Sequence, residues 1–202
     1  YGDVPYFTEM VTTDQVNSLT RTPAQEIFNA IIAECDKLST ELPADYTKLG
    51  LDGIAPAENG RVTCYAALAL KARAALYAAS PLFNPENNKD LWRRAAEANK
   101  EVIETCTANG FKLSKYSELW GPNNWSNNEM IFVRRYNGNI STLEEYNFPM
   151  GVPGGNSGNC PTQNMVDAYE MKATGKMWNE TGSGYDASNP YVGRDPRFDM
   201  TI

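Results

Sequence analysis

Aromatic and amide side chains concentrate after residue 115, and they are the residues best suited to hold a ligand. A flat aromatic ring packs on an apolar ring face, and an amide hydrogen-bonds to hydroxyl groups. A sugar offers both surfaces, so the mixture is typical of carbohydrate binding. For each aromatic residue the alternative is packing in the core. The candidate ligand-binding residues are Trp120, Asn124, Trp125, Tyr146, Trp178 and Tyr185.

Two acidic pairs raise the alternative of a glycoside hydrolase: Glu144 with Glu145, and Asp167 with Glu170. Such enzymes need two carboxylates at a defined separation across the sugar, and closeness in sequence does not provide it. The chain has no histidine, which excludes Ser-His-Asp and Cys-His catalysis and histidine-ligated zinc. We therefore predict no catalytic residue, no metal site and no cofactor.

The net charge and the cysteine spacing argue against nucleic-acid binding and against a zinc or redox motif. The net charge of -7 argues against nucleic-acid binding, which needs a basic face. The four cysteines, Cys35, Cys64, Cys106 and Cys160, are too widely spaced for a zinc or redox motif. Three of them fall at apolar positions of predicted helices. We interpret these as free buried thiols, with a disulfide as the alternative.

A helical scaffold over residues 22–110 must position the loops. Thr22 as N-cap, Pro23 at the first helical position and Gln25 as capping-box partner predict the start of one helix, which ends before Pro43. The alanine-rich residues 63–79 predict a helix buried nearly all round, and Pro81 ends it at Ser80.

A third helix is predicted from Asp90 as N-cap to Asn109-Gly110, with Trp92 on its apolar side. Three helices joined by loops indicate an antiparallel stack. We therefore expect a mostly α-helical fold.

Residues 111–202 form the loop-rich part that we expect to face the ligand. Met130–Tyr136 followed by Asn137-Gly138 predicts a small β-hairpin. Residues 147–161 are too rich in proline and glycine for a regular element, and Thr162 caps a short helix. Arg194, Asp195 and Arg197 are predicted to form a structural ion-pair and hydrogen-bond network, with ligand contact as the alternative.

Four blocks of sequence resemble the SusD/RagB family. They are Tyr1–Glu9, the signature-like run Asn59–Asn84 with its Ala-Ala-Leu-Ala-Leu-Lys-Ala-Arg core, Pro161–Met171, and Asn189–Phe198 with Gly-Arg-Asp-Pro-Arg-Phe. Their order and length cover most of the chain. The resemblance implies a tetratricopeptide-like helical scaffold carrying irregular loops and a small β-hairpin.

The same resemblance implies a role. Proteins of this family are outer-membrane lipoproteins that capture nutrients, usually glycans, for a TonB-dependent transporter. It therefore implies non-catalytic binding of an oligosaccharide or polysaccharide at the cell surface and delivery to a SusC-like barrel. The alternative within the family is a peptide or other nutrient. The chain has no signal peptide, lipobox or membrane-spanning run. We expect an internal fragment, with the lipid anchor outside it.

Overall fold

The computed structural model describes residues 2–46, 60–119, 124, 127–133 and 145–202. The chain divides into two compact units, Tyr1–Arg135 and Tyr136–Ile202. The described residues contain no β-strand, only isolated bridges such as Val4 with Thr22, and no helix among them is long and apolar enough to cross a membrane. Among the described residues, the helices with both ends defined are α1 Thr13–Val16, α2 Ala24–Glu41, α3 Cys64–Ala79, α4 Lys89–Ala108, a 3₁₀ helix Tyr116–Leu119, α5 Gln163–Asp167 and α6 Phe198–Thr201. Residues 145–147 are also helical.

The core of the first unit lies where α3 packs against both α2 and α4. It is built from Ile32 of α2 and mostly alanines of α3 and α4, with larger side chains such as Phe28 and Val102 around it. Alanine leaves little bulk between helices, so their backbones approach closely. The buried residues are Ile32, Ala72, Ala74, Ala75, Ala79, Ala95 and Ala98. The predicted mostly helical fold is confirmed.

The prediction that α3 is buried on nearly every side is wrong. Leu70, Leu76 and Tyr77 are 53 %, 46 % and 48 % exposed, and Arg73 is exposed between them. These residues share the side of α3 turned away from its two helical neighbours. Uniform apolar composition cannot show this, because it carries no helical period to separate a covered face from an uncovered one.

The start of α2 also differs from its prediction. The helix begins at Ala24 with Pro23 as N-cap, and no cap side chain bonds to it. Instead Ala24 N donates to Asp3 Oδ1 (2.9 Å), a carboxylate 21 residues earlier. Thr22 N donates to Val4 O (2.9 Å) in a β-bridge. The Asp3 carboxylate therefore accepts from a free N–H at the start of α2. The sequence predicted that the Thr22 side chain would have this role.

Two details of α4 change as well. Its N-cap is Asn88, whose Oδ1 accepts from Asp90 N (2.9 Å), so Asp90 lies inside the first turn. Trp92 is 37 % exposed, and its indole N–H donates to Asn87 Oδ1 (3.1 Å), so its predicted place in the core is wrong. The predicted end at Asn109-Gly110 is confirmed, with Gly110 at φ 88°.

A mostly buried lysine, Lys71, links the three long helices. Lys71 Nζ of α3 lies 2.5 Å from Asp36 Oδ1 of α2 and 2.6 Å from Glu101 Oε2 of α4. The lysine side chain is 15 % exposed, while the carboxylate side chains are 55 % and 45 % exposed. The triad therefore stands at the edge of the alanine core and joins the helices that the core packs together.

The predicted hairpin is wrong over its described part. Residues 130–133 form no strand, with a bend at Ile131 and Phe132. The remainder of the predicted strand and its Asn137-Gly138 turn lie outside the described residues. Turn and side-chain bonds hold the segment before it: Met130 N donates to Asn127 O (3.0 Å), and Ser114 N donates to Glu129 Oε2 (2.8 Å).

Candidate functional site

The loop from Thr174 to Tyr185 positions two candidate aromatic residues in the second unit. Ser183 is buried at its centre, where its hydroxyl donates to Trp178 O (3.1 Å) and accepts from Tyr185 N (3.2 Å). Thr174 Oγ1 donates to Ser183 O (2.9 Å). The buried serine thus ties the backbones of both aromatic residues to one point.

Glycines make this arrangement possible. Gly182 and Gly184, on either side of Ser183, have φ values of 74° and 80°, which other residues rarely adopt. The positive φ values therefore explain why glycine occupies both positions beside Ser183.

Trp178 and Tyr185 contact each other directly. Their ring centroids lie 5.5 Å apart at 62°, an edge-to-face arrangement. The Arg194 guanidinium carbon lies over the Tyr185 ring, 5.1 Å from its centroid. Both aromatic side chains are half-buried, whereas Arg194 is 5 % exposed. Sequence placed all three in the loop-rich part but did not show that they meet.

Arg194 is held by backbone carbonyls. Its Nε donates to Pro190 O and its terminal nitrogen donates to Tyr169 O, both at 2.9 Å. A fully buried cation needs such partners, because burial without them is costly. With its charge satisfied inside the unit, Arg194 supports the Tyr185 ring.

The neighbouring charges form a second fixed contact. Arg197 donates twice to Asp195, from Nε to Oδ1 (2.8 Å) and from its terminal nitrogen to Oδ2 (2.7 Å). These hydrogen bonds lower the pKa of Asp195 to about 2. The structure shows the predicted ion pair for Asp195 and Arg197, while Arg194 hydrogen-bonds to the carbonyls of Pro190 and Tyr169 instead of joining that pair.

Tyr146 lies in residues 145–147, which are helical, and the loop that follows folds back on them through backbone hydrogen bonds. Gly158 N donates to Tyr146 O (2.5 Å), Ser157 N to Phe148 O (2.9 Å) and Asn156 N to Glu145 O (3.0 Å). These bonds pair backbone N–H and C=O groups with each other inside the segment, and the side chains remain on its outside. Tyr146 is 62 % exposed and Phe148 is 43 % exposed.

Of the remaining candidates the structure describes one, Asn124, which belongs to the first unit. Asn124 is half-buried, and its amide donates to Leu119 O (2.9 Å), so one of its donors is already engaged. Trp120 and Trp125 lie outside the described residues. The structure therefore brings together Trp178 and Tyr185, and it places Tyr146 elsewhere in their unit.

Of the acidic candidates, Asp167 has a structural partner for its carboxylate: Oδ1 accepts from Gln163 Nε2 (2.8 Å) within α5. Glu170 takes part through its backbone, where its carbonyl oxygen accepts from Asp195 N (2.8 Å). Thr162 caps α5 as predicted. Across the described ranges, no three His, Cys, Asp or Glu side chains form a group that suits a metal ion.

Tyr191 is an exposed aromatic that the sequence analysis did not select. It is 57 % exposed and stacks on the buried Phe198, with centroids 5.9 Å apart and an interplanar angle of 20°. Its position in the Asn189–Phe198 block led to a structural interpretation of the whole segment. The seven-residue spacing of the two rings does not by itself predict stacking, because no regular element connects them.

Comparison with known proteins gives consistent results from sequence and structure. The curated SusD-like protein P25 of Formosa agariphila is 24 % identical over 220 residues, which cover 98 % of this chain. A solved SusD-like protein of Bacteroides fragilis is 26 % identical, with a TM-score of 0.70 over 98 % of this chain. The chain is similar to SusD-like proteins in both sequence and structure. No protein-family model matches it.

A second solved relative carries a functional description. It is a SusD-like carbohydrate-binding protein of Bacteroides fragilis, 27 % identical to this chain with a TM-score of 0.72 over 98 % of it. The chain spans a little over a third of the length of these relatives: 37 % of the curated protein, and 38 % and 35 % of the two solved chains.

Proposed function

We propose that this SusD-like chain belongs to a protein that binds oligosaccharides or polysaccharide without cleaving them. The observation that carries the proposal is the likeness to a SusD-like carbohydrate-binding protein, with a TM-score of 0.72 over 98 % of the chain. In the proposed role the longer protein is lipid-anchored at the outer-membrane surface. It delivers the glycan to a SusC-like TonB-dependent transporter.

Trp178 and Tyr185 are the proposed centre of the ligand-binding surface in this chain. Their edge-to-face contact and the buried Arg194 fix the ring orientations before a ligand arrives. A sugar that stacks on a fixed ring loses less conformational freedom than one that must order a mobile side chain. The remaining ring surface of Trp178 is the proposed stacking platform, since one face of Tyr185 is covered by Arg194.

Tyr146, Asn124, Trp120 and Trp125 are proposed as further contacts. Tyr146 has the exposure that stacking requires. Stacking and amide hydrogen bonds are each modest, so we expect dissociation constants of about 1 μM to 1 mM.

The first experiment is a titration of the chain with soluble oligosaccharides and short peptides, in which calorimetry and tryptophan fluorescence detect binding. We expect saturable binding of one glycan class, weakened about tenfold or more in Trp178→Ala. Trp92→Ala is the matched control, because Trp92 is also a partly exposed tryptophan but lies on α4 of the first unit. That variant should bind as the original chain does.

Other outcomes separate the alternatives. New reducing ends during the titration would show hydrolysis and refute the non-catalytic proposal. Binding of peptides alone would favour a peptide nutrient as the ligand. Equal loss in Trp92→Ala and Trp178→Ala would refute the proposed position of the surface. Delivery is tested separately by co-purification of the full-length protein with a SusC-like barrel.

A further inference from the structure

Two of the four cysteines lie at the same end of the α3–α4 pair. Cys64 is the first residue of α3, and Cys106 lies in the last turn of α4. The helices are antiparallel, because Lys71 of α3 pairs with Glu101 of α4 while Tyr65 contacts Phe111, just after α4. The N-terminal end of α3 therefore adjoins the C-terminal end of α4.

The inward-facing stripes of the two helices lead to these cysteines. On α3 the stripe passes from Ala79 through Ala75, Ala72 and Leu68, and one further step of four residues reaches Cys64. On α4 it passes from Ala95 through Ala98 and Val102, and one further step of four reaches Cys106. Residues at i and i+4 or i+3 lie on one helical face. The two stripes thus end in Cys64 and Cys106, at the same end of the helix pair.

Two contacts hold this end of the α3–α4 pair together. Tyr65 and Phe111 pack edge to face with centroids 5.0 Å apart. Phe111 N donates to Cys106 O (3.0 Å), which folds the chain after α4 back over its end. The alanines further along both helices allow close backbone approach, and a disulfide requires Cα atoms about 4.4 to 6.8 Å apart.

The electrostatics of the thiols agree with this proximity. Burial raises the pKa of the Cys106 thiol, and the neighbouring Cys64 raises it further. Cys106 is 6 % exposed, whereas Cys64 is half-buried and more accessible. The structure holds both as free thiols.

We propose that Cys64 and Cys106 form a disulfide when the protein meets an oxidising disulfide reagent, covalently linking α3 to α4. With oxidised glutathione, the Cys64 thiolate attacks one glutathione sulfur and releases one reduced glutathione. The Cys106 thiolate then attacks the Cys64 sulfur and releases the second. Two protein thiols are oxidised, the glutathione disulfide is reduced, and the two protons pass to the released glutathione thiolates.

The test uses a Cys160→Ser chain, because exposed Cys160 would otherwise form disulfides between molecules. The folded chain is incubated with oxidised glutathione, and thiols are counted after denaturation. We expect the count to fall from three to one. Trypsin cleaves after lysine and arginine, so the non-reduced digest should contain residues 62–71 linked to residues 101–112.

Cys35→Ala is the matched control, since Cys35 is a buried thiol on α2 outside the proposed pair. That variant should still give the linked peptides, and Cys106→Ala should not. Three unreacted thiols, a persistent glutathione adduct on Cys64, or a link that contains Cys35 would each overturn the proposal. The linked peptides come from the chain with both cysteines intact, so a folding defect in Cys106→Ala leaves the test valid.

Discussion

Removing the charge of Lys71 should weaken the three-helix scaffold. Lys71→Met keeps an aliphatic side chain of similar length and good helix propensity, so the core contact is largely retained. What is lost is the pair of ionic contacts with Asp36 (2.5 Å) and Glu101 (2.6 Å). The perturbation therefore isolates the link between α3 and its two neighbours.

The magnitude follows from exposure. A hydrogen bond to a charged group contributes about 1.5 to 3 kcal/mol when buried, whereas an exposed ion pair contributes about 0 to 1 kcal/mol. The Lys71 side chain is 15 % exposed, but its partners are 55 % and 45 % exposed and remain hydrated without it. We take about 1 kcal/mol for each contact and expect Lys71→Met to lower the free energy of unfolding by about 2 kcal/mol.

Urea denaturation followed by circular dichroism measures this change, with Lys100→Met as the control. Lys100 pairs with Glu104 at 3.6 Å, and both side chains are mostly exposed, so its loss should cost under about 0.5 kcal/mol. Equal effects of Lys71→Met and Lys100→Met would refute the reasoning. So would a Lys71→Met cost that stays unchanged when Asp36→Asn and Glu101→Gln are already present.

The same contact has a defined pH dependence. Burial lowers the pKa of Lys71, but hydrogen bonds with Asp36 and Glu101 outweigh it, and the net pKa is raised. A lysine with a raised folded pKa stabilises fully below its unfolded pKa of about 10.4 and loses that contribution as pH rises through the folded value. The difference between Lys71→Met and the original chain should therefore shrink as the pH rises in strongly alkaline solution, which urea denaturation at a series of pH values measures.

Two further predictions concern single side chains. Thr63 Oγ1 is buried and has no hydrogen-bond partner in the described part of the chain, so Thr63→Val should raise the free energy of unfolding by about 1 kcal/mol in urea denaturation; destabilisation would contradict this. In Gly155→Ala the new Cβ would lie 2.4 Å from Pro149 O, a backbone atom. Amide exchange of Ser157 and Gly158 should accelerate, and unchanged exchange would show that the loop accommodates the methyl group.

The helical scaffold was predictable because its signals are local and repeated. Alanine content, Pro81 and Asn109-Gly110 place α3 and the end of α4 where the structure has them. Local signals failed where a distant group competed. Thr22 has the right side chain for a cap, but Asp3 takes that role across 21 residues, and no local pattern encodes such a contact.

Gln25 is a second residue whose role depends on a distant contact that local sequence does not predict. Its spacing from Thr22 predicted a capping box, yet its amide donates to Ala78 O and Phe83 O (both 2.8 Å) at the end of α3. Carbonyls at a helix end lack partners within the helix, so a nearby amide side chain stabilises them. Gln25 therefore joins α2 to the end of α3, an effect that depends on tertiary packing.

For the ligand surface, sequence predicted the residue types but not their surroundings. Tyr146 and Tyr185 are both tyrosines of the loop-rich part, and residue type does not separate them. The structure does: the backbone bonds beneath Tyr146 leave it 62 % exposed, whereas Tyr185 is half-buried between Trp178 and Arg194. A binding role for Trp178 thus depends on Tyr185 and Arg194 as supports. Loss of binding in a Tyr185 variant would not by itself prove that Tyr185 touches the ligand.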